Sequence, residues 1–372
     1  MHFFKSLSLA LIIVVWAVGV AHAASLNPSL LQAKQEAEAK GYTFITNHDE
    51  IVAHAKKEGK LRVVANMDRP TIRATTAAFK RKYPFIDDIY IEETTGTDAA
   101  QRIVLALKAG AAKEWDTTHI LVAFRSDYSP YLWNVDLLGM AKHGVLQIPL
   151  PMIDAKYGNV AALFSYFQPT AYNVKLVSPD LVPKTWEELL RPELKGRKFA
   201  LDIRPKDVAA LVPAWGLEKT LDFARKVAVQ QPIWVRGSRA LTSMIAGEIP
   251  MVVGPNFASV KLTQLKDRTG VLRYVILEPA PVRFGSAQGI LAPSQHRHAA
   301  LLWLEWMASP EAQKIVDETE FSSSIHVRGG LVERELRGKK LSVVDWEHYH
   351  DVERWEGEVA KAYGFPKVDA KR

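Results

Sequence analysis

The sequence predicts an α/β protein with mixed, mostly parallel sheets flanked by helices. Short, continuously apolar segments, of the kind that parallel sheets bury, alternate with segments that repeat apolar residues at helical spacing. The alternation resumes in the second half of the chain. Strands that alternate with helices favour parallel pairing with helices on both faces. The length of 372 residues is sufficient for two lobes with separate cores.

The predicted elements begin with an amino-terminal helical extension over residues 24–59, which Gly59 ends. Strands are predicted at 61–65, 89–92, 118–123, 199–203, 249–253, 272–277 and 288–292. Thr185 and Glu188 have the spacing of a capping box, and Ser309-Pro310 is typical of a helix start. The segment 331–372 is charged and aromatic, and we expect it to pack on the outside.

The first residues predict export. Lys5 precedes an apolar core at residues 7–20, and Ala21-His22-Ala23 has the small-x-small pattern of a cleavage site. The alternative is a membrane anchor, but the core is shorter than the ~20 residues that a membrane span needs. We therefore predict a signal peptide over residues 1–23 and a mature protein in the periplasm.

Composition excludes several classes of function. The chain has no cysteine, which excludes disulfides, thiolate metal sites and a cysteine nucleophile. The formal net charge is +7, but lysines and arginines are scattered, so nucleic acid is not an expected partner. Glycine-rich nucleotide motifs, the Gly-x-Ser-x-Gly elbow and His-Glu-x-x-His are absent from the sequence. These absences argue against an enzyme of a familiar class.

Residues 233–260 predict a strand end, a turn, a short helix, a strand and a loop. Arg236-Gly237-Ser238 forms the turn, and Ser238 can cap the helix. The buried strand at 249–253 leads directly into Gly254-Pro255-Asn256-Phe257. Ligands of open α/β sheets bind beyond the carboxyl ends of the strands. We therefore expect Arg236 and Asn256 to face a ligand.

Arginines follow three predicted strands, at Arg69, Arg204 and Arg236. A guanidinium matches a carboxylate or phosphate bidentately, and nearby helix N-termini favour the same anions. Thr95 and Thr97 add hydroxyl groups. The alternative for each arginine is an ordinary surface position.

Two histidine pairs, His296/His298 and His348/His350, have i, i+2 spacing. On a helix, that spacing directs the two rings to different faces. We interpret both pairs as surface residues, and we predict no metal site and no cofactor.

Several segments, in this order, carry a resemblance to a known family. They are AFKRKYPFI, TAYNVKLV with Tyr172-Asn173, PKTWEELLRPELKGR, SMIAGEIPMVVG and AALLWLEWMASPEAQKIV. Over residues 61–319 the chain resembles the extracellular (periplasmic) solute-binding proteins of bacterial ABC importers, family 1 type. Within that family it is most similar to the group of ferric-iron, polyamine, thiamine and phosphonate receptors.

The resemblance implies the two-lobed periplasmic-binding-protein fold of type II, with hinge crossovers near residues 164–174 and 277–288. Lobe 1 would comprise residues 60–165 and 285–372, and lobe 2 residues 166–284. The implied function is capture of a small polar, anionic solute by hinge closure and its delivery to an inner-membrane ABC permease. The expected protein is a monomer and not an enzyme. The inter-lobe cleft implied by the resemblance contains Asn66, Thr95, Gly96, Thr97, Arg204, Arg236 and Asn256.

One departure from the family bears on the ligand. Iron receptors of this group carry adjacent tyrosines where this chain has Asn256-Phe257. Tyr128, Tyr131 and Tyr166 are possible substitutes. Ferric iron or an iron chelate therefore remains an alternative ligand.

Two alternative functions also remain. The first is an exported enzyme that uses Asp68, Asp202 or Asp207 for acid–base chemistry in the cleft. The second is a sensor adaptor that presents the ligand to a signalling receptor.

Overall fold

A computed structural model describes residues 27–94, 96–121, 124–237 and 239–364. The predicted signal peptide, Thr95 and the predicted helix cap Ser238 lie outside these residues. In the part that the structure describes, no helix is both long and apolar enough to cross a membrane.

The described elements confirm the α/β class. The helices are α1 (Pro28–Ala39), α2 (His48–Glu58), α3 (Arg69–Lys82), α4 (Gly96–Lys108), α5 (Arg125–Tyr128), α6 (Leu137–Lys142), α7 (Lys206–Ala209), α8 (Val212–Trp215), α9 (Leu217–Val229), α10 (Arg239–Ile245), α11 (Phe257–Lys266), α12 (Arg297–Met307), α13 (Pro310–Thr319), α14 (Leu331–Leu336) and α15 (Val352–Ala362). The strands are β1 (Lys60–Ala65), β2 (Asp88–Glu93), β3 (Thr117–Ile120), β4 (Val160–Ala162), β5 (Ser165–Phe167), β6 (Thr170–Asn173), β7 (Ala200–Asp202), β8 (Ile233–Val235), β9 (Met251–Val253), β10 (Leu272–Val275), β11 (Ala280–Phe284), β12 (Ala287–Ile290) and β13 (Leu341–Val344).

Two five-stranded sheets organise the molecule. Sheet A has the order β2-β1-β3-β12-β4, and sheet B has the order β10-β6-β9-β7-β8. Both are mixed. In sheet A, β1 is parallel to β2 and β3, whereas β12 is antiparallel to β3 and β4. In sheet B, β7 is parallel to β8 and β9, whereas β6 is antiparallel to β9 and β10.

A small third sheet, of order β13-β11-β5, connects the regions of sheets A and B. β11 is antiparallel to β5, so that Arg283 is opposite Tyr166, and it is parallel to β13. Strands β5 and β11 lie inside the two segments predicted as hinge crossovers. The third sheet therefore fixes Arg283 and Tyr166 beside each other where the chain passes between the two large sheets.

Within the predicted amino-terminal helical extension, the structure has two helices, α1 and α2. The helical pattern breaks at Gly41, which has a left-handed φ of 79°. Asn47 then caps α2 by accepting a hydrogen bond from the Asp49 N–H. Helix α2 packs on α12, where His48 lies 2.8 Å from Glu305.

Each of the two largest cores contains packed aromatic pairs among its aliphatic residues. In the sheet A core, Phe79 packs edge-on against Trp303 at a centroid distance of 5.2 Å. In the sheet B core, buried Trp186 packs against Phe223. Each large sheet thus has its own apolar core.

Residues 285–372 were predicted to belong to lobe 1, but the end of this segment packs elsewhere. Trp355, Val359 and Tyr363 of the α15 region belong to the sheet B core, and α15 contacts α9 and α7. These three apolar residues recur every four positions, so they form one helical stripe that must be covered. The segment 352–363 therefore packs with elements predicted for lobe 2. The rest of the predicted lobe division stays a prediction.

Candidate functional site

Two cavities adjoin at the carboxyl ends of the strands and share Lys206, Asn256 and Arg283 as lining residues. The Asp207 cavity, of about 330 Å³, also has Gln168, Asp202, Arg204, Asp207 and Ser259 among its polar lining residues. The Tyr166 cavity, of about 450 Å³, also has Asn66, His119, Tyr166, Tyr349, Glu353 and Glu356 among its polar lining residues. We refer to the two together as the cleft.

The shared residues come from three different elements. Arg283 is on the connecting strand β11, and Lys206 is the first residue of α7, directly beyond strand β7. Asn256 is the N-cap of α11, where its Oδ1 accepts a hydrogen bond of 2.9 Å from the Ala258 N–H. The cleft is thus lined by strand ends and helix starts, the usual position for ligands in such sheets.

Arg283 and Lys206 are the cations of the cleft that remain without a carboxylate partner. Among the described residues, neither side chain forms an ion pair or a hydrogen bond, and Nε of Arg283 is buried without a partner. Burial lowers the pKa of Arg283, although the charges of Glu356 and Asp207 oppose this effect. Burial also lowers the pKa of Lys206, and the charge of Arg283 acts in the same direction.

Arg204 lines the cleft, but its guanidinium is already engaged. Nε lies 3.2 Å from Oδ1 of Asp202, and Nη2 lies 3.0 Å from Oδ2. Burial raises the pKa of Asp202, but hydrogen bonds from Arg204 and from the Gly237 N–H outweigh burial and lower the pKa overall. This pair is a bidentate ion pair, which leaves the Arg204 fork less available to a solute.

Asp207 is a buried carboxylate with no hydrogen-bond partner on either oxygen in the described part of the chain. Its side chain lies against Gly254, where a Cβ atom would approach Oδ2 to 1.9 Å. Burial raises the pKa of Asp207 to about 7, against the opposing effect of nearby backbone N–H groups. Glycine at 254, with a φ of 74°, is thus what leaves room for this carboxylate.

Apart from the carboxyl groups of Glu353 and Glu356, the remaining polar groups of the Tyr166 cavity are neutral. The Asn66 amide donates a hydrogen bond of 3.4 Å to the Tyr166 hydroxyl. Burial raises the pKa of Tyr166 above its usual range, and the charge of Glu320 adds to this. Burial lowers the pKa of His119 to about 4, and its ring contacts Ser286. A phenolate or an imidazolium is therefore disfavoured in this cavity at neutral pH.

The predicted site residues divide into three groups. Asn66, Arg204 and Asn256 line the cleft. Arg69 is 86% exposed and lies 3.3 Å from Glu93, and Arg236 is exposed, although its neighbour Gly237 lines the Asp207 cavity. Gly96 and Thr97 begin α4. The predicted set, including the undescribed Thr95, stays a prediction as a binding site.

Sequence reasoning did not assign Lys206, Arg283, Glu353 or Glu356 to the site. Arg283 had a usable signal, because it is a charged residue within the otherwise apolar strand segment Ala280–Phe284. Lys206 follows Arg204-Pro205 within the predicted strand-end loop. The two glutamates belong to a segment for which no contact with the cleft was expected.

Three of the four histidines in the two pairs lie beside a carboxylate. His296 lies 3.0 Å from Asp116, His298 lies 2.7 Å from Glu58, and His348 lies 2.9 Å from Asp345. Within the described ranges, no group of three or more His, Cys, Asp or Glu side chains is arranged to hold a metal ion.

The comparison with protein families decides the class. The model of a family described as bacterial extracellular solute-binding protein matches residues 155–351, which is more than half of the chain. The chain belongs to this family. The predicted resemblance is thereby confirmed, as is the role of substrate-binding component of an ABC transporter. Solute-binding proteins of this family deliver small solutes to ABC permeases and are transport components rather than enzymes.

Solved structures support the same fold. A ferric binding protein from Campylobacter jejuni is 16% identical, with 82% of this chain and 100% of that chain covered and a TM-score of 0.62. Iron-bound HitA from Pseudomonas aeruginosa is 19% identical, with 81% and 99% covered and a TM-score of 0.61. A Trichodesmium protein (IdiA, FutA), in complex with iron and citrate ligands, is 16% identical, with 82% and 98% covered and a TM-score of 0.62.

At these identities the likeness shows the fold alone, and it confirms the predicted two-lobed periplasmic-binding-protein architecture. A comparison with curated proteins found no match.

Proposed function

We propose that this protein is a periplasmic receptor that captures a small polar, anionic solute in the cleft and delivers it to an inner-membrane ABC permease. The observation that carries the proposal is the pair of cations, Arg283 and Lys206, that line both cavities without a carboxylate contact among the described residues. Two neighbouring cations repel each other, and an anion between them removes this repulsion. Charge-assisted hydrogen bonds to a guanidinium also fix the orientation of a carboxylate or phosphonate.

The proposed mechanism is hinge closure. The cleft draws residues from the predicted lobe 1, such as Asn66 and His119, and from the predicted lobe 2, such as Lys206 and Asn256. A solute that contacts both lobes only in the closed form stabilises that form by its differential affinity. We propose export through the signal peptide over residues 1–23, a monomeric protein, and release of the solute without chemical change.

A ferric ligand is the second candidate, since the similar Campylobacter protein is a ferric binding protein and the similar Pseudomonas protein was solved with iron bound. A bare ferric ion is disfavoured, because Arg283 and Lys206 repel it and because no group of three or more His, Cys, Asp or Glu among the described residues is arranged to hold a metal ion. An anionic iron chelate fits the same cations better. The Trichodesmium protein was solved with both iron and citrate.

The test combines native mass spectrometry with variants. We expect the exported, mature protein to carry an organic anion that is lost on denaturation. Arg283→Gln should weaken binding of that anion at least about tenfold, because one charge-assisted contact is removed. Arg273→Gln is the matched control, since Arg273 is exposed and donates to the backbone carbonyls of Gly270 and Leu272. A bound bare ferric ion, or equal binding by Arg283→Gln and Arg273→Gln, would contradict the proposal.

A further inference from the structure

Helix α15 brings two carboxylates to the wall of the Tyr166 cavity. Glu353 and Glu356 are separated by about one helical turn, and both line the cavity. In the described part of the chain, neither forms a hydrogen bond or an ion pair. A third acid of the same helix, Glu358, behaves differently, because it lies 3.4 Å from Arg354. Helix α15 therefore has one ion-paired glutamate that does not line the cleft, Glu358, and two glutamates without an ion pair that do.

A second, independent observation concerns Asp207. This side chain is 2% exposed, both of its carboxylate oxygens are buried without a partner, and it lines the adjoining cavity. Gly254 leaves the space that the carboxylate occupies. A buried polar group without a partner is costly, so its retention in a cavity indicates that a bound molecule supplies the missing contact.

The charges of the cleft are mixed but held apart. Arg283 is subject to the charges of both Asp207 and Glu356, and Lys206 to that of Glu356. Yet among the described residues no ion pair joins these carboxylates to these cations. A purely anionic solute would meet the carboxylates, and a purely cationic solute would meet Arg283 and Lys206. A solute with both charges satisfies both sets.

We infer that Glu356, with Glu353 and Asp207, determines the specificity of the cleft by binding an amine, so that the solute is a small zwitterion. Its anionic group binds Arg283 and Lys206, and its ammonium group donates hydrogen bonds to the carboxylates. The inference rests on the proposed function, because it keeps the anion on the same two cations. It adds the second half of the solute.

The position of α15 makes this selection rigid. Trp355 and Val359 anchor the helix in the sheet B core, and β13 pairs with β11 in a register that sets Val344 opposite Arg283. Arg283 is thereby held on β11, and Glu353 and Glu356 lie on α15, the helix that follows the paired strand β13 along the chain. Carboxylates that are positioned in advance lose less conformational entropy when they bind.

Matched ligand series test the inference on the full mature protein by titration calorimetry. One series is 3-aminopropanoate, propanoate and propylamine, and the other is 2-aminoethylphosphonate, ethylphosphonate and ethylamine. We expect one zwitterion to bind at least about tenfold more tightly than both of its partners, as one charge-assisted hydrogen bond would give. Glu356→Gln should remove this preference, Glu353→Gln should reduce it less because Glu353 is more exposed, and Glu358→Gln should preserve it.

The outcomes separate the inference from the proposed function. If the simple anions bind as tightly as the zwitterions and Glu356→Gln strengthens their binding, the inference is wrong while the proposed anion site stands. If Arg283→Gln leaves the binding of every probe unchanged, the proposed function fails and the inference fails with it. A copurified solute without an amine, or no binding by any probe, also overturns the inference.

Discussion

Replacing Asp207 by Asn should remove one large pH-dependent contribution to the free energy of unfolding. The pKa of the buried carboxyl is about 7, against an ordinary value of 3.8, because burial disfavours the charged form. The two values differ by about three pH units, and at about 1.4 kcal/mol per unit the ionised form costs up to ~4 kcal/mol of unfolding free energy. The wild type should lose this stability as the pH rises from about 4 to about 7 and lose no more above that range. Asn has the same shape and carries no charge, so Asp207→Asn should be about as stable as the wild type near pH 4 and several kcal/mol more stable at pH 8.

Urea unfolding of both proteins at several pH values between 4 and 8 measures this difference. Contributions from titrating groups that do not interact with Asp207 cancel when the two curves are subtracted. Asp202→Asn is the control with the opposite sign, because hydrogen bonds from Arg204 outweigh burial and lower the pKa of Asp202. That variant should be less stable than the wild type at neutral pH, and the gap should close as the pH falls below 4. A constant difference between Asp207→Asn and the wild type across the whole range would refute the argument from burial.

Two further substitutions test the packing around the site and in sheet A. Gly254→Ala places a Cβ atom 1.9 Å from Oδ2 of Asp207 at a φ of 74°. We therefore expect this variant to lose about 2–4 kcal/mol of unfolding free energy. The control Gly247→Ala should lose about 1 kcal/mol, because Gly247 has a similar φ but open space around it. Asp116→Ala should cost about 3 kcal/mol, since this buried carboxylate accepts hydrogen bonds from the Arg62 N–H, the Ser294 hydroxyl and His296. Urea unfolding at pH 7 measures both, and losses below about 0.5 kcal/mol would contradict the contacts described.

Long apolar strands and capped helices were predictable because their signals are local. The predicted strand at 61–65 corresponds to β1, and Ser309 accepts the predicted capping hydrogen bond from the Ala312 N–H. The Glu188 N–H donates to the Thr185 hydroxyl as in a capping box, but the Glu188 carboxylate accepts from the Lys184 N–H instead of the Thr185 N–H. The segment that follows is a single 3-10 turn, Glu187–Leu190, because Pro192 allows no further helix. Strands such as β5 and β13 were not predicted. They have only three or four residues, and their extended conformation depends on pairing with β11 rather than on the pattern of their own residues.

The site was less predictable than the fold, for a reason that Arg204 and Arg283 illustrate. Both are arginines near strand ends, and sequence reasoning favoured Arg204 because it directly follows a strong strand. Asp202 lies two residues earlier and engages its guanidinium, a contact that sequence spacing alone does not establish. The residues around Arg283, such as Tyr166 and Asp207, come from distant parts of the chain, so its lack of a partner could not be predicted from the sequence. Whether a charged side chain forms an ion pair thus depends on neighbours that are distant in the sequence.

The pairing of β13 with β11 has a consequence for the order in which the cleft is assembled. β13 and α15 follow every strand of sheets A and B along the chain. A chain that folds from its amino terminus can therefore pair the strands of both large sheets before the segment from Leu341 to Ala362 is added. Until then, one wall of the Tyr166 cavity, with Glu353 and Glu356, does not exist. The same late segment also supplies Trp355 and Val359 to the sheet B core, so one set of elements completes both that core and the wall of the cavity.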